Sequence, residues 1–122
     1  MKEQILARTK AIALQVIKLL DELPNKPSAW TIAKQISKSA TSIGANYRAV
    51  YRAKSDNDFL NKLKIVEEEA DETLYWLEIL EESGMVEVEK IKPIYNEVNE
   101  VLAIVVSSIR SVRYKINSKN AS

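Results

Sequence analysis

The sequence predicts an all-α protein folded as an antiparallel, up-down-up-down four-helix bundle. Three observations predict it. Only two glycines and three prolines occur in 122 residues, too few for the turns that an all-β chain needs about every 8–12 residues. Apolar residues recur at three- and four-residue steps along four long segments. Helix-stopping or helix-starting residues separate those segments. A chain of this length forms one domain, and its 46% apolar content supplies one core.

The first helix is expected from about Lys2 to Glu22, with Ile5, Thr9, Ile12, Val16, Leu20 and Leu23 on one face. Leu23-Pro24-Asn25-Lys26-Pro27 ends it, because proline lacks an N–H and restricts the residue before it. Ser28 is the expected N-cap of a second helix reaching Lys54, with Ile32, Ile36, Ala40, Ile43, Tyr47 and Val50 inward. Ser55 and Asp58 have the spacing of a capping box and open a third helix. Phe59, Leu63, Val66, Ala70, Leu74 and Leu77 form its stripe, and Ser83-Gly84 closes it with a glycine at C′. The fourth helix spans Val86 to Lys115, carrying Ile91, Ile94, Val98, Leu102, Val105, Ile109 and Val112. Residues 1–116 thus make the bundle, and 117–122 read as a polar tail. Short links between helices of similar length give antiparallel neighbours. The boundary between helices two and three has no glycine or proline to enforce it.

Cysteine and histidine are both absent. Disulfides, thiolate sites, the commonest general base and the usual zinc ligand are therefore excluded. No apolar leader is visible, since Lys2, Glu3, Arg8, Lys10 and Lys18 interrupt the first 23 residues. The longest uncharged apolar run, Val101 to Ile109, is too short to cross a bilayer. The expectation is a cytoplasmic protein with no membrane contact, no cofactor and no metal.

The net charge of +1 conceals a division between helices. The second helix holds Lys34, Lys38, Arg48, Arg52 and Lys54 and no acid; the third holds ten acids against Lys62 and Lys64. At about 100° per residue, Lys34, Lys38, Arg48 and Arg52 fall within about 80° of arc, opposite that helix's core stripe. Thr41, Ala45, Gly44 and Ser37 border this ridge and let another surface come close. On the third helix Ile65, Glu69, Glu72, Trp76 and Ile79 share an arc directed away from Phe59, Leu63 and Leu77. Isolated exposed apolar residues are ordinary. A cluster containing a tryptophan points instead to an oligomer interface.

The acidic run Glu67-Glu68-Glu69-Ala70-Asp71-Glu72 has the residue type of a carboxylate metal site. Carboxylate di-iron bundles add Glu-x-x-His motifs on facing helices, and this chain has none. A solvated face, with Lys64 reaching Glu68 at i,i+4, accounts for the run better. No nucleophile–base pair and no phosphate-cradling glycine loop accompany it, so no enzyme chemistry is expected. Tyr75 and Trp76 read as packing residues. Arg110, Arg113, Lys115 and Lys119 form a cationic cluster with two readings: phosphate contact, or charges favourable to the end of a helix dipole.

Three segments carry a family resemblance. Ser39-Ala40-Thr41-Ser42-Ile43-Gly44-Ala45-Asn46-Tyr47-Arg48, then Asp58-Phe59-Leu60-Asn61-Lys62-Leu63 and Glu68-Glu69-Ala70-Asp71-Glu72-Thr73-Leu74-Tyr75-Trp76-Leu77-Glu78, resemble the bacterial four-helix bundle proteins encoded within 23S rRNA intervening sequences. The resemblance implies a homopentameric ring and no enzymatic activity. A related branch is similar to accessory proteins of diversity-generating retroelements, which bind nucleic acid and a reverse transcriptase. That branch is strongly basic, and this chain, near neutral overall, departs from it.

The reading that follows is a non-enzymatic oligomeric scaffold or adaptor, with itself and RNA, DNA or a nucleic-acid enzyme as partners and no small-molecule substrate. Arg110, Arg113, Lys115 and Lys119 are its candidate nucleic-acid contacts. Lys34, Lys38, Arg48, Arg52, Ile65, Glu69, Glu72, Trp76 and Ile79 are its candidate interface. A purely structural protein–protein module is the alternative.

Overall fold

The computed structural model describes residues 2–121, which form four α-helices: α1 (Lys2–Leu20), α2 (Pro27–Val50), α3 (Asp56–Glu82) and α4 (Val88–Ala121). Each helix packs on its neighbours in the chain, α4 closes against α1, and the diagonal pairs do not approach one another among the described residues. The seam between α1 and α4 is the thinnest of the four. The expected all-α bundle is therefore the fold.

Its core is the expected set of stripes with a local drift. Ile12, Val16, Ile36, Ala40, Ile43, Val66, Ala70, Leu77, Leu80, Val98, Val101 and Val105 are completely buried. On α1 the last buried residue is Leu19, while Leu20 and Leu23 are half-buried; on α4 Val101 replaces Leu102 inside. A period of 3.6 residues does not hold a fixed three-or-four step, so a stripe extrapolated from one end slips by one residue at the other. Phe59 and Val112 also lie at the core's margin.

Five helix ends differ from expectation, two of them by only two residues: α1 stops at Leu20 rather than Glu22, and α4 begins at Val88 rather than Val86. Lys26, not Ser28, is the N-cap of α2; its side chain caps nothing, and Pro27 sits at the first helical position, where a missing N–H costs no bond. α2 stops at Val50 rather than Lys54, and the chain tightens through N–H donors of Tyr51, Arg52 and Ala53 to the carbonyls of Arg48, Ala49 and Val50. Those three-residue bonds make the turn without glycine or proline. Arg52 thus lies beyond the helix that was expected to carry it. α4 continues to Ala121, so the polar segment from Asn117 is helical as far as it is described, and Ser122 lies outside the described residues. The cap of α3 is as expected. Ser55 Oγ accepts from the Asp58 N–H at 3.1 Å, and Asp58 accepts from the Lys54 N–H at 3.0 Å. Gly84, at φ 76°, is the left-handed residue past Glu82.

Polar contacts fix how the helices meet. Inside, the Thr73 hydroxyl donates to Ser39 Oγ at 2.9 Å and links α3 to α2. Gly44 lets α1 come close, since a Cβ there would stand 3.3 Å from Thr9 Oγ1. Across the thin seam, Arg8 donates to both Glu97 oxygens at 2.8 and 2.7 Å and to Glu100 at 2.6 Å. The Arg8 hydrogen bonds hold the Glu97 carboxyl below its ordinary value, against the opposing effect of burial. Its stabilising contribution is present above the ordinary carboxylate range and is lost as pH falls through the lowered value. Glu97→Gln is expected to cost about 0.5–1 kcal/mol at neutral pH, the range for a partly exposed pair. Urea titrations at pH 7 and pH 3 check this: the gap between wild type and variant should close at the lower pH.

Candidate nucleic-acid interface

The fold converts the division of charge between helices into a division along the bundle. One end gathers the start of α1, the end of α2, the start of α3 and the end of α4. The half of the molecule at that end (residues 2–11, 42–68 and 104–121) holds twelve lysines and arginines against five acids. The other half holds six against twelve. Sequence reasoning by helix could not see this, because each helix contributes to both ends.

Among the described residues four of the twelve cations in the basic half make ion pairs: Arg8, with Glu97 and Glu100 of the other half, and Lys62, Lys115 and Lys119. Lys62 pairs with Asp58 at 2.6 Å, and Lys115 and Lys119 reach Asp56 at 3.4 and 2.7 Å. Their hydrogen bonds, Lys119 first, hold the Asp56 carboxyl below its ordinary value. The candidate cluster on α4 therefore divides. Lys115 and Lys119 tie α4 to the start of α3, whereas Arg110 and Arg113 are exposed and make no ion pair among the described residues. Arg48, Arg52 and Lys54 are likewise exposed and without ion pairs among the described residues.

An open cleft of about 560 Å³ lies at this pole, lined by all four helices and the α2–α3 turn. Its aromatic walls are Tyr47, Tyr51 and Phe59, and α4 contributes Ile104, Ser107 and Ser108. Tyr47 is buried, with its hydroxyl pushed up to about 12 by burial and then by the adjoining Tyr51. The two rings stand 5.8 Å apart at 52°. Tyr51 is exposed, and the Lys2 ammonium lies 4.8 Å from its ring centre.

The residues expected at an oligomer interface are spread over both halves of the bundle. Lys34 and Lys38 belong to the acidic half, and Arg48 and Arg52 to the basic half. Glu69, expected to meet the basic ridge of another copy, is already beside it: burial and Glu72 raise its pKa, while Ser42 and Lys38 of the same chain oppose them. Trp76 and Ile79 are half-buried against the chain's own core, and Trp76 donates to Glu72 at 3.3 Å. Of the apolar residues in that arc only Ile65 is exposed. The expected Lys64–Glu68 pair is absent among the described residues, and no cluster of three metal-ligating side chains occurs among them.

Exposed large apolar side chains occur on every helix: Leu14 and Ile17 on α1, Trp30 on α2, Ile65 and Tyr75 on α3, and Val88 and Tyr114 on α4. A groove of about 570 Å³ runs between α1 and α2, lined by Ala13, Thr41, Gly44 and Ala45 together with Lys10 and Arg48. The signal was present in the sequence: Leu14 and Ile17 fall outside the α1 stripe and no burial in a bundle of this size can use them.

This is an all-α bundle with one cationic end and no helix among the described residues long and apolar enough to cross a membrane. Residues 1–107 match the model of the 23S rRNA-intervening sequence protein family, and the chain belongs to that family. It is also similar to the crystal structure of a protein of unknown function from the S23 ribosomal protein family of Bacteroides thetaiotaomicron VPI-5482. The two are 36% identical with a TM-score of 0.80, over 86% of this chain and 97% of that one. No curated protein matches the chain. The family match ends at Ser107, so Arg110, Arg113, Lys115 and Lys119 lie beyond it.

Proposed function

We propose that this chain is a non-catalytic, self-assembling adaptor that holds nucleic acid at its basic pole. The observation that carries the reading is the separation of charge along the bundle, with exposed cations left over at one end. Arg110 and Arg113, with Arg48, Arg52 and Lys54, supply sequence-independent phosphate contacts. Self-assembly is supported by Leu14, Ile17 and Trp30, an apolar set that a lone bundle leaves in water. The neighbouring copy's counterpart is the acidic outer surface of α3, around Ile65 and Glu72. Such unlike surfaces make heterologous contacts, which close into a ring when the rotation permits. Five copies is the number the family resemblance implies. A purely protein–protein module is the second reading, and the small-residue α1–α2 groove favours it.

Light scattering and filter retention test the two parts together. The wild type is expected to run as a closed multiple of the 13.8 kDa chain and to retain RNA or DNA at low salt, with retention falling steeply as salt rises. Leu14→Glu/Ile17→Glu is expected to give monomers with unchanged helix content. Trp76 is a poorer probe, because its half-buried ring reports on folding and assembly at once. A monomeric wild type would refute assembly. Absence of retention at low ionic strength would leave the protein–protein reading.

A further inference from the structure

We propose that the aromatic cleft at the basic pole seats one unpaired base of a single-stranded nucleic acid, stacked on Tyr51. The inference rests on the basic pole holding nucleic acid, and it names the part of the polymer that is read there.

The cleft has the attributes of a base site rather than of a packing defect. Its volume falls in the range of small-molecule sites. Its walls are flat rings from three places in the chain, at Tyr47, Tyr51 and Phe59. A base offers two apolar faces and a polar edge, and Ser107 on α4 supplies a hydroxyl for that edge. The surroundings carry the charge a polynucleotide requires. Lys2 already places its ammonium over the Tyr51 ring. A base sliding onto that ring displaces the ammonium, which then stands beside the attached phosphate. Ser107, Arg110 and Tyr114 follow one another at i, i+3 and i+7, so they form one stripe of α4 leading away from the cleft. Arg110 is placed for the next phosphate, and Tyr114, 76% exposed, offers an open ring for a further base. Duplex nucleic acid cannot use the cleft, because its bases are stacked on one another and present edges, not faces, to a protein.

The test compares three probes on the intact chain by fluorescence anisotropy: a labelled oligo-uridine, a labelled RNA duplex, and inorganic polyphosphate as a competitor that carries charge alone. The single strand is expected to bind about tenfold more tightly than the duplex at equal salt. Tyr51→Ala should lower single-strand affinity about tenfold and leave duplex affinity unchanged, while Tyr51→Phe keeps both. Ser107→Trp, which fills the cleft from α4, should repeat the Tyr51→Ala result through a different residue. Equal affinity for single strand and duplex, or unchanged single-strand binding in both Tyr51→Ala and Ser107→Trp, overturns the base site while leaving the basic pole as a phosphate surface. Failure of all three probes to bind overturns the basic-pole reading and the base site with it.

Discussion

Arg110→Glu/Arg113→Glu is expected to abolish nucleic-acid retention while leaving the assembly intact. Both guanidinium groups are exposed, and neither has an ion pair among the described residues, so reversal removes no internal contact. Each lost phosphate contact should lower the slope of log affinity against log salt by about one, and the pair by about two. Lys34→Glu/Lys38→Glu makes the opposite comparison. Those lysines lie in the acidic half, and Lys38 acts on Glu69 of its own chain. Their reversal is expected to loosen the assembly by light scattering and to leave retention by the basic pole. The competing account of Arg110 and Arg113 is that they only favour the end of the α4 dipole. It predicts a lower melting temperature with retention unchanged, and a melting curve beside the retention assay separates the two.

Leu77→Ala is expected to cost 2–5 kcal/mol, the range for a large buried aliphatic residue truncated in a core that cannot collapse around it. Leu77 is completely buried on α3's inward face, in the C-terminal part of the helix. Small domains have only about 5–15 kcal/mol of stability, so the variant should unfold at markedly lower urea with an unchanged m-value. Tyr114→Ala, at an exposed ring, should leave the urea midpoint where it was.

The fold was legible because helices announce themselves locally. Apolar spacing, the Ser55–Asp58 cap and the Ser83-Gly84 stop each lie within a few residues of what they control. The misplaced ends have different causes. Ser28 has the chemistry of a cap, but Pro27 had already begun the helix. The segment after Lys115 is polar enough to fray, yet Lys119 is tied to Asp56, 63 residues away in sequence. No window along the chain contains both partners.

The candidate site was legible only in part for the second of these reasons. Arg110 and Arg113 stood out as a cluster, and Tyr47 as a core residue. That Tyr51, Phe59 and Ser107 share one cleft requires the order in which helices meet. The expected interface residues are spread over both halves of the bundle, which helical spacing on α3 alone does not reveal. Trp76 and Ile79 lie off the main stripe of α3 and are half-buried, on a helix whose Glu69 and Thr73 meet α2.

The distribution of charge along the bundle also makes the molecule an electric dipole. In the field of a polyanion it experiences a torque as well as a net force, and it turns its cationic end forward before any contact is made. That alignment acts over about the Debye length, about 8 Å at physiological ionic strength. On the proposed reading, encounters with nucleic acid are thereby selected by orientation, and added salt weakens that selection. A chain with a net charge of only +1 can in this way be steered as a much more highly charged protein would be.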